Sequence, residues 1–289
     1  MKLFTVLFFI FQFLSEEDLG TYVQLPAHER DKALENYYYK TLEPSLNLKQ
    51  IEKISNTKLL EIISDYYYIT YFVENKEICK LYLEYFNELH RRKLSNEVDV
   101  KHMYGSLINS KLFRDANKFY NRFSEFELKK LPIFNKSSNL AEDGAGLYIL
   151  QQNGSLSKDS FKYSDGFEII VISHQKCHFC KNAAKEISND KDVLGFFSKY
   201  STWLTPISGD LQIEALQKWN NVYPKLNIKY VESIKNFPEL KYWSTPSFYF
   251  LKNGELLGSL RGWDENRLKD LKTSISKYFD HHVKDEKTL

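Results

Sequence analysis

Two regimes of hydrophobic spacing divide the chain. From about Leu25 to Pro132 the apolar residues recur at helical intervals, and no run alternates as a strand would. Ile78, Tyr82, Tyr85, Phe86 and Leu89 share one face, with Lys76, Lys80, Glu84 and Glu88 on the others. That spacing predicts a helix, and similar patterns predict helices near Leu59 to Phe72, Val98 to Asn109 and Leu112 to Phe123. After the polar stretch from Lys136 to Gly146 the pattern changes. Leu147 to Leu150 predicts a strand, Asn153-Gly154 a hairpin turn, and the residues near Phe161 a second, weaker strand. Phe167 to Ser173, with its unbroken core Ile169 to Ile172, predicts a central strand covered on both faces. Further strands are predicted for Trp203 to Ile207 and on both sides of Asn253-Gly254. Helices are predicted for Leu211 to Trp219 and for Asp264 to Phe279, the latter with Leu268, Leu271, Ile275 and Phe279 on its inner face.

The helical half carries an internal echo. Cys79, Tyr82 and Phe86 superpose on Ala116, Phe119 and Phe123 at an offset of 37 residues, and each set follows another predicted helix. Paired helices at such a period loosely resemble tetratricopeptide hairpins, and an irregular bundle fits equally well. Either would serve to hold a partner. The echo bears on Cys79, which is either a third redox cysteine or a small buried side chain at a helix contact. Alanine at the equivalent position favours the second. Neither Tyr37-Tyr38-Tyr39 nor Tyr66-Tyr67-Tyr68 can present all its rings on one helix face, so packing is their expected role. His28, His90 and His102 lack metal-site partners in sequence and are expected at the surface or as caps.

Leu3 to Leu14 is almost unbroken hydrophobicity behind Lys2. Twelve helical residues rise about 18 Å, short of the roughly 30 Å bilayer core. A signal-peptide core fits this segment better than a span. The alternatives are an uncleaved anchor or a buried first helix, because Phe13 is a poor residue two positions before Ser15 at a cleavage site. The charge balance of 40 basic against 38 acidic residues is interspersed along the chain, which excludes a general nucleic-acid binder. Three cysteines are too few for a disulfide scaffold.

Two of them stand in Cys177-His178-Phe179-Cys180, directly after the central strand. In the helix that follows, Cys180, Ala183, Ala184 and Ile187 form one stripe, so Cys180 faces inward while Cys177 sits before the first turn. One thiol is then reachable and the other is held behind it, as disulfide exchange requires. About sixty-five residues on, Ser244-Thr245-Pro246 opens an apolar strand, and Lys252-Asn253-Gly254-Glu255 turns it into another.

Strand, CxxC, helix, Thr-Pro, strand, Lys-Asn-Gly-Glu, strand and helix, in that order, resemble the thioredoxin superfamily over residues 147–281. The resemblance implies an α/β domain with a central mixed sheet flanked by helices. It also implies a cis bond before Pro246, beside Cys177, and an extended backbone at Thr245 that receives the substrate polypeptide as an added strand. By the same resemblance Cys177 is the nucleophile and Cys180 resolves the mixed disulfide. The chain departs from thioredoxin itself at Lys176, where that protein has Trp, and at His178-Phe179, where it has Gly-Pro. Val171 stands where thioredoxin has a buried acid, and Glu168 points to the opposite face of the strand. A free thiol is only a few per cent ionised at neutral pH. The helix N-terminus lowers the pKa by at most about 1.5, with Lys176, His178 and Lys181 adding to it. A depressed Cys177 pKa and a more oxidising pair than thioredoxin follow. Zinc is the competing use of the motif, with His174, Cys177 and Cys180 as ligands, but no fourth ligand is apparent and His281-His282 lies in a charged tail. No cofactor is expected.

The expected organisation is a signal or anchor at 1–15, an all-helical domain at 20–135, a linker at 136–146, the thioredoxin-like domain at 147–281 and a charged tail at 282–289. The expected activity is that of an exported protein thiol–disulfide oxidoreductase, most simply in a bacterial periplasm. Its partners would be protein thiols and disulfides and a dedicated redox protein, with no nucleic acid and with membrane contact only through an uncleaved N-terminus. The alternative is a thioredoxin-like assembly component of pilus or secretion-system type, binding partners through its helical domain.

Overall fold

A computed structural model describes residues 22, 25–43, 46, 48–135 and 145–286. The N-terminal apolar segment and most of the expected linker lie outside these residues. The described chain divides into two compact units that part between Leu131 and Pro132, with Ser208–Asp210 counted in the first.

Helices α1 (Ala27–Tyr37), α2 (Asn56–Phe72), α3 (Lys76–Arg91), α4 (Glu97–Asn109) and α5 (Phe113–Arg122) build the first unit. Side chains start three of them. Ser55 accepts the Lys58 amide, Asn75 those of Glu77 and Ile78, and Asn96 with Asp99 forms a reciprocal capping box. The core is aromatic. Tyr66 stacks on Tyr82 at 5.7 Å, and Phe86 meets Phe119 and Phe123 at 5.3 and 5.7 Å. The buried hydroxyls of Thr70 and Ser106 pair at 2.8 Å and tie α2 to α4. Cys79 and Ala116 are both fully buried, and burial pushes the Cys79 thiol up to about 12. Of the expected surface histidines, His102 instead stacks on Tyr67 at 3.6 Å, and His90 meets the Ser95 hydroxyl at 2.9 Å. The His28 side chain lies outside the described residues.

The second unit is one sheet of eight strands with helices packed on it. In chain order these are β1 (Phe134–Asn135), β2 (Ala145–Leu150), β3 (Leu156–Phe161), β4 (Phe167–Ile172), α6 (His178–Asn189), α7 (Lys191–Tyr200), β5 (Ser201–Pro206), α8 (Ile213–Val222), β6 (Ile228–Val231), β7 (Ser247–Lys252), β8 (Glu255–Arg261) and α9 (Arg267–Glu286). The spatial order is β1-β3-β2-β6-β5-β4-β7-β8. Strand β4 runs parallel to β5 and antiparallel to β7, so the strand before the CxxC is internal, and all six of its residues are buried. On one face Trp203 of β5 and Phe248 of β7 meet Phe197 of α7. On the other, Ile170, Ile172, Leu204, Tyr249 and Leu251 form a cluster with Phe237 and Leu240.

Several bounds differ from the sequence expectation. Strand β2 begins at Ala145, inside the expected linker, because its pairing with β3 extends to Ala145 opposite Phe161. Helix α9 begins at Arg267, since the Asp264 side chain accepts the Asn266 amide and keeps it ahead of the helix. It continues to Glu286, so most of the expected tail is helical; the side chains of His281 and His282 lie outside the described residues. Helix α7 and strands β1 and β6 had no counterpart in the hydrophobic pattern. No helix among the described residues is long and apolar enough to cross a membrane.

Candidate active site

The site begins where β4 ends. The Ser173 amide still bonds to the Leu204 carbonyl at 2.8 Å, and the chain then turns through His174, Gln175 and Lys176. That turn is closed by the Cys177 amide on the His174 carbonyl at 2.9 Å and by the Lys176 amide on His174 Nδ1 at 3.2 Å. It is anchored from below by Gln175, which is buried and donates to the Leu211 carbonyl at 3.5 Å. The turn delivers Cys177 as the N-cap residue of α6, with extended backbone. Its sulfur takes the place a Ser or Asn oxygen fills in other caps, accepting the Cys180 amide at 3.4 Å. One turn on, Cys180, Ala183, Ala184 and Ile187 are all fully buried.

The peptide bond between Thr245 and Pro246 is cis. It presents the Thr245 carbonyl 3.6 Å from the Cys177 sulfur. Two bonds hold this loop: the Gly262 amide donates to the Pro246 carbonyl at 2.8 Å, and the Ser247 hydroxyl to the Ser244 carbonyl at 2.6 Å. The decisive combination is a buried strand, a cysteine capping the helix behind it, and the Thr245 carbonyl of the cis Thr245–Pro246 bond against that cysteine, all on one mixed sheet. The second unit has a thioredoxin-like fold.

Comparison with solved structures agrees in name and only loosely in shape. An uncharacterized thioredoxin-like protein from Porphyromonas gingivalis matches 50% of this chain and 94% of its own, at 12% identity and a TM-score of 0.34. A thioredoxin-like protein from Bacteroides caccae covers 86% of this chain and 94% of its own, at 11% identity and a TM-score of 0.31. A peroxiredoxin-like protein from Aquifex aeolicus covers 47% and 89%, at 9% identity and 0.27. Overlaps this loose add nothing to what the topology itself shows. No protein-family model matches the chain, and no curated protein matches it.

The electrostatics of the thioredoxin-like domain separate its two thiols. Partial burial pushes the Cys177 pKa up, but hydrogen bonds from the Thr245 side chain, from the Cys180 thiol and from the Cys180 and Phe179 amides outweigh it and hold the thiol below its ordinary value. Burial pushes Cys180 up to about 12, partly opposed by the Ser173 hydroxyl and reinforced by the neighbouring Cys177. The outer thiol is therefore the readier nucleophile and the inner one is held protonated.

The structure brings Cys177, Cys180, Thr245 and Pro246 together. It shows no hydrogen bond from the side chain of His178, Phe179 or Lys176 to the sulfur; from Phe179 only the backbone amide reaches it. His178 is exposed and meets Asn182 at 3.2 Å, Phe179 is 54% exposed, and Lys176 is exposed without an ion-pair partner among the described residues. Val171 is fully buried in β4. Glu168, also buried, lies nearer the start of that strand, where its carboxylate accepts the Ser164 amide at 3.2 Å and desolvation raises it to about 7. Ser173 was not singled out in the sequence. Its signal is slight, a lone polar residue closing an apolar strand, and its hydroxyl neighbours the Cys180 thiol only in the fold. No group of three His, Cys, Asp or Glu among the described residues is arranged to hold a metal.

Proposed function

We propose that the chain is a protein thiol–disulfide oxidoreductase working through Cys177 and Cys180. The observation that carries the reading is the environment of Cys177, a helix-capping sulfur with lowered pKa, partly exposed and set against the Thr245 carbonyl that precedes the cis-proline. In the reducing direction the Cys177 thiolate attacks one sulfur of a substrate disulfide. A Cys177–substrate disulfide forms, and the other substrate sulfur leaves as thiolate and takes up a proton. Cys180 loses its proton, attacks the Cys177 sulfur and releases the second substrate thiol. Two electrons pass from the cysteine pair to the substrate, and the pair ends as a disulfide. The oxidising direction runs the same steps backwards. Either direction needs a redox partner to reset the pair, and a dedicated redox protein would supply it.

Substrate polypeptide docks by adding to the extended backbone at Thr245. The exposed Phe179 and His178 flank that line, and Lys176 adds positive charge near the developing thiolate. The helical unit holds a partner or substrate protein. The apolar segment Leu3 to Leu14 directs export, most simply to a bacterial periplasm where thiol oxidation can be sustained. Fusing residues 1–20 to a reporter that is active only after export tests that part separately.

The activity is tested with a disulfide-bonded peptide and the full chain. Wild type should exchange with it, Cys177→Ser should not, and Cys180→Ala should stall as a covalent adduct at Cys177. Exchange that survives Cys177→Ser would overturn the assignment.

A further inference from the structure

Arg261 closes β8 next to the cis-proline loop. It pairs with Ser247 across β7 and β8, and the amide that follows it, on Gly262, holds the Pro246 carbonyl at 2.8 Å. Its guanidinium is turned onto the ring of Tyr242, 4.3 Å from the centroid. Tyr242 is itself fixed from beneath. Its amide donates to the Tyr249 hydroxyl at 2.9 Å, and that hydroxyl donates back to the Tyr242 carbonyl at 2.6 Å. Tyr249 belongs to the core, so the stacked pair is held in place. Both members are nevertheless exposed, Tyr242 by 40%.

Among the described residues the charge on Arg261 has no counter-ion. Arg92, Lys158 and Arg267 each meet a carboxylate, whereas Arg261 has none among the described residues. Exposed Lys176, Lys181 and Lys241 likewise have no ion-pair partner there. An unpaired guanidinium fixed by stacking keeps its in-plane N–H donors available for two parallel bonds to a carboxylate. It stands one strand pairing from the loop whose carbonyl touches the Cys177 sulfur.

We propose that Arg261, steadied on Tyr242, is a specificity-determining residue that binds an acidic side chain of the substrate polypeptide within a few residues of the attacked cysteine. The proposal rests on thiol–disulfide exchange at Cys177. The substrate class it names is a protein thiol or disulfide in an acidic stretch.

Three disulfide peptides that differ only in carrying Glu, Gln or Lys beside the cysteine, with the full-length chain, test it. Wild-type kcat/KM should rank Glu above Gln above Lys, with Glu over Gln by roughly 3- to 10-fold and the margin shrinking as salt is raised. Arg261→Gln should abolish the Glu-over-Gln preference, Arg261→Lys should keep part of it, and Tyr242→Leu should reduce it. Lys225→Gln, the same change of charge at an exposed position elsewhere in the domain, should leave the ratio as in wild type. Equal wild-type rates for the Glu and Gln peptides, or a preference that survives Arg261→Gln, would overturn the role of Arg261 and leave the exchange chemistry standing. No exchange with any of the three, with Cys177 unmodified, would overturn both.

Discussion

At Cys177 the chemistry depends on where a few amide protons point. Burial alone would make this thiol a poorer acid, and its pKa is lowered because the Thr245 side chain, the Cys180 thiol and the amides of the first turn of α6 direct hydrogen bonds at the sulfur. In a reduced Cys180→Ala chain, alkylation should occur at Cys177 and leave the buried Cys79 untouched. The pH midpoint of its rate should lie below the 9.0 of an ordinary cysteine. A midpoint at or above that value would mean that the Thr245 side chain and the α6 amides do not stabilise the thiolate. Glu168 shows the opposite balance. Its carboxyl is raised from 4.5 to about 7 by burial, so the folded protein holds that proton more tightly than the unfolded chain does. The sign follows: stability on this account is greatest below the unfolded value and is lost as pH rises through 7, by on the order of 3 kcal/mol in full. Glu168→Gln should therefore raise the urea midpoint at pH 8 and do far less at pH 5. Equal effects at both values would show that Glu168 is not buried as described.

At the scale of elements, the helical unit depends on its ends. Asn96→Ala should cost about 1 kcal/mol, because it leaves the first amides of α4 without an acceptor. Glu88 is held down to about 2 by hydrogen bonds from Arg91 and Arg92, and Arg92 also spans to the Ile51 and Ile54 carbonyls. Its contribution is present above pH 4.5 and is lost as pH falls towards 2. Glu88→Gln should remove that acid-side dependence, as read by circular dichroism against pH. The elements legible in the sequence were those that carry their own pattern. Helix α3 shows a full apolar stripe, β4 an unbroken run, and Thr245-Pro246 a residue pair with few uses. Strand β6 has only Ile228, Lys229, Tyr230 and Val231, too few to set a period, and its place comes from β5 and β2 on either side. Helix α7 is ten residues long with Gly195 inside it, and Asp190 starts it by accepting the Val193 amide. In the site, the cysteines and the proline were readable as a motif. Arg261 on Tyr242 was not, because nineteen positions separate them and only the β7–β8 pairing closes that gap.

For the whole molecule, a thioredoxin-like domain follows an all-helical unit, and the chemistry proposed for the chain lies wholly in the former. On the proposed mechanism the difference between the two thiols in exposure and acidity sets the order of events, with Cys177 reacting first and Cys180 second. The direction of electron flow is set by whichever partner resets the pair, so the order of events is the central claim. It is tested most directly by adding glutathione disulfide to the reduced full-length chain, quenching with acid and mapping the products by mass. The account predicts a reversible Cys177–Cys180 disulfide in the wild type. In Cys180→Ala it predicts a single glutathione adduct, on Cys177. Glutathione settling on Cys180 or Cys79 instead, or both motif thiols staying reduced, would contradict it.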